Sequence, residues 1–553
     1  MPLLWQSILS YTLLCLFLSV SVKAQISHGG QPLPLTATKS QTEDLFITMP
    51  PFDLAEQLRL DSLEATDLRS GFRFAYKFMT DYTPENSGVR FILPDGTKVW
   101  RLGIRSEGAL SLNIMFSKYH LPEGARVFLY NSNQSEVLGS FNHLNNSERA
   151  ILPVAPIGGD ELIVEYQEPA GVAFPGKLAI GEVNHGYRNF RVSEPQPDFT
   201  PFECMPVIAC YQDSTTRYDA IERSVVLMII NGTTGCTGTL VNNTANDGKP
   251  YLLTASHCLN NQFQIKNPDY EEVAGNIVCY FNYNSPQCSP VEPGRTDQTV
   301  ASAHFRAVNE LTDMALLELQ DTPPADYRVY YAGWNAQDAG TAPYTCIHHP
   351  GGSLKRLNLA EGDVELTSYK IQVADFNENS HWKVARWATG CTAGGSSGSP
   401  LFDGDNRVIG GLTGGASSCL NPAEDFFFSI QKSWSEPADS SKQLKCWLDP
   451  VGVAAPVCAG MDPNEGGGTA NEEIEVSTEV SLSVDRYRHT IRIGFASPVS
   501  QASLTLVSLT GKPVRHYSIT GQQVTLPIGH VPAGMCIVKI VYNNKLYTQK
   551  VLF

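Results

Sequence analysis

A chain of 553 residues is longer than one hydrophobic core normally serves, so several compact units are expected. A hydrophobic fraction of 42% with 17% charged residues excludes a disordered or collagen-like chain. A formal net charge of −16 excludes a general nucleic-acid binder, whose phosphate contacts need clustered Lys and Arg.

The chain opens with an apolar run, Ile8–Val22, ending in Val22-Lys23-Ala24. Small residues at the first and third of these places suit removal of a signal peptide (residues 1–24) before Gln25. No Lys or Arg precedes the run, which leaves a short membrane anchor as the other reading, although the run is short for a bilayer span. No other stretch is long and apolar enough to cross a membrane. Of thirteen cysteines, Cys15 falls in this leader. The other twelve belong to an exported chain, in an environment where thiols pair, and spacing alone leaves their connectivity open. The absence of any CxxC pair argues against zinc.

Residues 25–200 alternate in short β-type segments separated by Gly, Pro, Asn and Asp, among them Phe72–Phe78, Val99–Ile104, Ser111–Phe116 and Arg126–Tyr130. A β-sandwich is expected there, with Ser193–Pro201, which holds three prolines, as a boundary linker. Residues 201–458 carry most of the cysteines and again read as short strands. A Gly-rich linker over 459–475 leads to a last β-patterned unit, 476–553.

The chemistry lies in three segments of the middle unit. The first is Leu252-Leu253-Thr254-Ala255-Ser256-His257-Cys258, and the second is Thr312-Asp313-Met314-Ala315. The third is Gly394-Gly395-Ser396-Ser397-Gly398-Ser399-Pro400. A serine hydroxyl is a poor nucleophile at neutral pH and needs an adjacent base. Histidine suits that role because its ordinary pKa lies near the working pH, and a carboxylate behind the ring fixes its tautomer. Glycines beside Ser397 let the chain turn so that the N–H groups of Gly395 and Ser397 can face a developing oxyanion. Each segment alone would pass for a loop or a structural residue. The order His257, Asp313, Ser397 in an exported β-rich chain points to a serine endopeptidase of the chymotrypsin type.

At these residues the sequence resembles the bacterial lysyl endopeptidases, a branch of the chymotrypsin-like serine proteases. The likeness runs from about Cys204 to Pro450 through Cys236-Thr237-Gly238-Thr239-Leu240, Ala332-Gly333-Trp334, Ile347-His348-His349-Pro350, Gly414-Gly415-Ala416-Ser417-Ser418-Cys419 and Cys446-Trp447-Leu448-Asp449-Pro450. It implies an all-β catalytic unit of two six-stranded barrels with the triad in the cleft between them, and no cofactor or metal. It also implies three disulfides: Cys204–Cys419, Cys210–Cys288 and Cys236–Cys258. Cys279, Cys346, Cys391, Cys446, Cys458 and Cys536 gain no partner this way, and only proximity suggests Cys446 with Cys458. The resemblance makes His348 and His349 part of a structural loop, against a metal-ligand reading.

Six residues before the nucleophile, where trypsin has its specificity Asp, this chain has Cys391, so a trypsin-style pocket is excluded. Lysyl endopeptidases carry the acid beyond the Gly-Gly strand. That acid falls on Asp425, with Glu424 as the alternative, and with Thr413 and Gly414 as further substrate-binding residues. Strong preference for Lys follows from the resemblance; Glu or broader specificity, or an inactive adhesin, are the rivals. Thr413 stands where a better-known family member has His, which implies a different pH profile. Ser396 stands where trypsin-like zymogens have the activating Asp, so residues 25–200 read as a propeptide domain, with a permanent binding module as the alternative. Residues 476–553 resemble the C-terminal sorting domain of Bacteroidetes type IX secretion in Leu504-Thr505-Leu506, Gly511-Lys512 and Val531-Pro532-Ala533-Gly534. An adhesion or carbohydrate-binding sandwich is the other reading. The expected partners are protein and peptide substrates and the type IX secretion machinery, not nucleic acid. The expected location is outside the cell or on its surface, with no stable membrane span.

Overall fold

The computed structural model describes residues 27–35, 45–66, 72–188 and 204–464, with short gaps in the last range, together with strands between 474 and 552. The leader (1–24), the Ser193–Pro201 linker, the glycines at 466–468 and the segments around Gly511 and Val531–Gly534 lie outside the described residues.

The architecture is all-β. Two sheets of the N-terminal region face each other as a sandwich. One is built around Lys98–Arg105, Glu161–Glu168 and Arg126–Tyr130; the other is built around Ser111–His120, Lys177–Gly186 and Ala75–Tyr82. The alternation read from sequence recurs here: Leu102, Ile104, Leu112, Ile114, Phe116, Val127, Leu129, Leu162 and Val164 meet in one core. A helix over Leu54–Thr66 was not expected.

In the middle region the strand order is Thr299–Ala301, Ile277–Tyr280, Val225–Ile230, Thr234–Val241, Tyr251–Ala255, Met314–Leu319, Ala303–Asn309. The two end strands are consecutive in the chain, joined only by Ser302 at φ 65°, so the sheet bends there and closes on itself. The second sheet repeats the device. Its order is Arg356–Ala360, Tyr344–His348, Pro400–Phe402, Arg407–Gly415, Ala423–Ser429, His381–Arg386, Glu365–Thr367. Its ends are again consecutive, and Leu359 bridges Thr389 across the seam. Two chymotrypsin-like barrels result.

The first barrel has apolar residues on both faces. Val226, Met228, Ile230, Ile277 and Cys279 point into the barrel, whereas Leu227, Ile229, Val278 and Tyr280 join the core of the N-terminal sandwich. This explains the unbroken run Val225-Val226-Leu227-Met228-Ile229-Ile230, which strands buried on one side only do not need. The sandwich also adds Phe72–Arg73 as a short strand against Thr234–Gly235. At the other end, residues beyond Cys458 remain docked: Met461 pairs with Tyr331, and Arg223 reaches Asp462 at 2.6 Å. The expected linker at 459 therefore begins with packed chain. Among the C-terminal strands, Thr490–Ser508 pairs with both Pro513–Pro527 and Met535–Tyr542 around Leu504, Leu506, Val538 and Ile540.

Three disulfides close: Cys204–Cys419, Cys210–Cys288 and Cys236–Cys258. Cys446 and Cys458 do not pair; the first is exposed and the second is buried, near Asn242 Nδ2 at 3.8 Å.

Candidate active site

His257 sits in a single helical turn, Ser256–Leu259, that ends the apolar strand Tyr251–Ala255, and the Cys236–Cys258 disulfide ties the turn to the neighbouring strand. Asp313 opens the Met314–Leu319 strand, which pairs with the His-bearing strand through Ala255 and Met314. Strand register thus delivers both residues to one barrel end. The Asp313 carboxylate is fully buried and accepts three hydrogen bonds. Oδ2 receives His257 Nδ1 at 2.8 Å, and Oδ1 receives the His257 N–H and the Ser256 hydroxyl, each at 2.9 Å. An ionised carboxylate can only accept, so Nδ1 carries the proton and Nε2 is the basic nitrogen.

Ser397 comes from the second barrel and is brought to the first by its neighbours. Its carbonyl accepts from Thr237 N at 2.9 Å, and Gly398 presses so close to the Thr254–Ala255 strand end that a Cβ there would lie 2.2 Å from Thr254 Oγ1. Gly398 has φ 80° and Gly395 has φ 92°, a region that favours glycine. A Cβ on Gly395 would meet His349 O at 2.8 Å. Among the described residues, neither the Gly395 nor the Ser397 N–H has an acceptor in the chain. Two free donors flanking a serine are what an oxyanion would need.

Thr237 is the hub of this turn. Its Oγ1 donates to Gly395 O at 2.8 Å and accepts from His349 N at 3.1 Å. The two histidines back the same loop. His348 Nδ1 lies 2.7 Å from Ser396 Oγ and its Nε2 lies 3.1 Å from Asn358 Oδ1, while His349 Nδ1 lies 2.8 Å from Ser353 O. Burial, the largest cause, lowers His348 to about 3, so its ring is neutral and serves the loop as a hydrogen-bonding strut. Ser396 is engaged by His348 and by the Ala393 N–H at 3.2 Å, in the place where a trypsin-like zymogen carries its switch carboxylate.

Asp425 lies on the strand Ala423–Ser429, opposite Gly415, and is fully buried. Its Oδ2 receives Trp387 Nε1 at 2.6 Å, Ser417 Oγ at 2.6 Å and Thr392 Oγ1 at 3.0 Å. Its Oδ1 is buried without a hydrogen-bond partner. A Cβ at Gly415 would lie 2.1 Å from that oxygen, so glycine is required opposite it. Burial raises the Asp425 pKa above the ordinary value, and the three donors oppose that rise. Glu424 faces the other way: it is exposed and bonds Lys383 Nζ at 2.8 Å. Thr413 occupies a bulge in the Arg407–Gly415 strand, with Oγ1 buried and unpartnered. Gly414 pairs with Phe426, on which Tyr369 stacks at 4.2 Å. Trp387, Thr392 and Ser417 were not singled out in the sequence, since they come from separate segments. Ser417 lay within the quoted Gly414–Cys419 motif, but nothing there marked it as a donor to Asp425.

Residues 202–428 match the family model described as lysyl endopeptidase, C-terminal domain. A lysyl endopeptidase of Pseudomonas aeruginosa is 29% identical, over 62% of this chain and 75% of that protein. A solved structure of a Glu endopeptidase in complex with MPD is 15% identical over 39% of this chain and 89% of that one, with a TM-score of 0.25, too weak a likeness to bear on fold or specificity.

Replacing Thr237 by Val removes the hydroxyl while keeping the shape, leaving the buried Gly395 carbonyl and His349 N–H unsatisfied. A loss of about 1–3 kcal/mol is expected in urea denaturation, with a fall in kcat; an unchanged midpoint would remove Thr237 as the hub.

Proposed function

We propose that this serine endopeptidase, whose residues 202–428 match the C-terminal domain of lysyl endopeptidases, cleaves peptide bonds after lysine. His257 takes the proton of Ser397 Oγ as the hydroxyl adds to the scissile carbonyl. Asp313 holds the ring with Nδ1 protonated and stabilises the imidazolium. The Gly395 and Ser397 N–H groups receive the oxyanion; His257 then protonates the leaving amine, and water releases the acyl group by the same route in reverse.

The observation that carries the lysine reading is the half-satisfied carboxylate of Asp425. Oδ2 is held by three donors and Oδ1 has none, which orients one acceptor toward an incoming cation. A lysine ammonium fills that need. A neutral P1 side chain leaves a buried charge uncompensated, a penalty of about 3–5 kcal/mol. The exposed Glu424, already paired with Lys383, does not offer a desolvated acceptor. The raised pKa of Asp425 means that it protonates at higher pH than an ordinary carboxylate. Affinity for lysine substrates is therefore lost on acidification before an ordinary aspartate would be neutralised.

Residues 476–553 are proposed to direct export through type IX secretion machinery to the cell surface or medium. The support is their resemblance in sequence, and no helix among the described residues is long and apolar enough to cross a membrane.

Asp425→Ala should lower kcat/KM on lysine substrates by about 10²–10⁴-fold, the kinetic equivalent of that penalty. Titration of Ser397 with a serine-directed phosphonate should remain stoichiometric; retained lysine selectivity would sink the assignment. Deleting residues 471–553 should trap the enzyme inside the cell, and unchanged delivery of the truncated chain would count against the sorting role.

A further inference from the structure

Beside the donors that hold Asp425, three sulfurs meet where only two can bond. Cys204 and Cys419 are joined, and Cys391 Sγ lies 3.5 Å from Cys204 Sγ and 4.0 Å from Cys419 Sγ. Cys391 is a buried free thiol. Its neighbours reach Asp425: Thr392 donates to the carboxylate through Oγ1 and to Ser417 Oγ through its N–H at 2.9 Å. Ser417, two residues before Cys419, donates to Asp425 in turn. The disulfide therefore anchors the loop that holds one of the three donors on the specificity carboxylate. Its other end, Cys204, begins a segment laid along the Arg356–Ala360 strand through the Val207–Arg356 bridge.

We propose that Cys391, Cys204 and Cys419 form a thiol–disulfide exchange site in which Cys391 attacks Cys204, releases Cys419 and so frees the loop bearing Ser417. The Cys391 thiol loses its proton to water or buffer base. The thiolate sulfur bonds to Cys204 Sγ as the Cys204–Cys419 bond breaks, and Cys419 leaves as a thiolate that takes up a proton. One disulfide and one thiol are present before and after, so no oxidant or reductant is needed. Cys204 is the nearer sulfur. Cys419, the farther sulfur, is then the leaving group; both it and Cys204 are partly buried, and Cys419 adjoins Leu420 at 98% exposure, where water can solvate the departing thiolate. The similar distances to the two sulfurs place Cys391 beside the bond, so attack along its axis requires a side-chain rotation. Burial, with Asp425 adding to it, pushes the Cys391 thiol up to about 12. At neutral pH the reactive thiolate is therefore scarce and exchange is slow, rising about tenfold per pH unit.

Freed from its anchor, the 416–422 loop holds Ser417 on Asp425 less firmly, which weakens lysine binding while leaving Ser397 chemistry in place. This last consequence rests on the lysine reading; the exchange itself does not.

The test incubates the purified full chain without added thiol at pH 7, 8 and 9, quenches in acid, alkylates free thiols and maps disulfides by mass spectrometry. A Cys204–Cys391 peptide with alkylated Cys419 should accumulate, about tenfold faster per pH unit. Cys391→Ser should retain Cys204–Cys419 throughout, and should that variant fail to fold the wild-type map decides alone. In wild type, KM for lysine substrates should rise with the exchanged fraction while phosphonate labelling of Ser397 stays constant. Cys204–Cys419 as the sole pairing at every pH overturns the exchange. Exchange with an unchanged KM overturns its link to Asp425.

Discussion

A carboxylate buried with one oxygen saturated and the other bare is unstable unless something completes it, and the region around Asp425 is organised by that constraint. Trp387, Thr392 and Ser417 hold Oδ2 from three separate segments, and the glycine at 415 clears the space over Oδ1. Three donors oppose the cost of desolvation without removing it, which is why the acid remains harder to ionise than one in water. On the proposed lysine reading, a substrate ammonium offsets the residual deficit. Specificity on this reading is stored as an incomplete hydrogen-bond set, and the surrounding packing exists to keep it dry.

The same economy of contacts joins the two barrels. The His257–Asp313 pair belongs wholly to the first barrel, where it follows from the register of adjacent strands. Ser397 belongs to the second, and Thr237 is the point at which the Gly395–Ser397 turn is pinned to the first. His348 and His349, buried and neutral, brace that turn from behind. The outer face of the first barrel is covered by the N-terminal sandwich through Leu227, Ile229, Val278 and Tyr280, so the sandwich and that barrel share one core.

Much of this was legible in the sequence where chemistry requires a local signature. The small residues before His257, the Asp at a strand mouth and the glycines around Ser397 each reflect a backbone demand close in the chain. Asp425 was reachable only through resemblance, because nothing local distinguishes it from Glu424. The structure separates them by the two-residue period of a strand, one facing in and the other out. The donors to Asp425 and the Cys391 contact were not legible, since they arise where segments far apart in sequence meet. That the strand Val225–Ile230 is buried on both faces, with residues 72–188 supplying the cover, was not read from the sequence.

The most direct measurement is a charge-deletion cycle between Asp425 and the substrate. kcat/KM is determined for matched peptides with lysine or its neutral isostere norleucine at P1, on the wild type and on Asp425→Asn. Charge pairing at Oδ1 predicts that the lysine-over-norleucine ratio, large in the wild type, falls by about two orders of magnitude or more in the variant. An equal ratio in both proteins would contradict it, and would place the determinant of specificity elsewhere than Asp425.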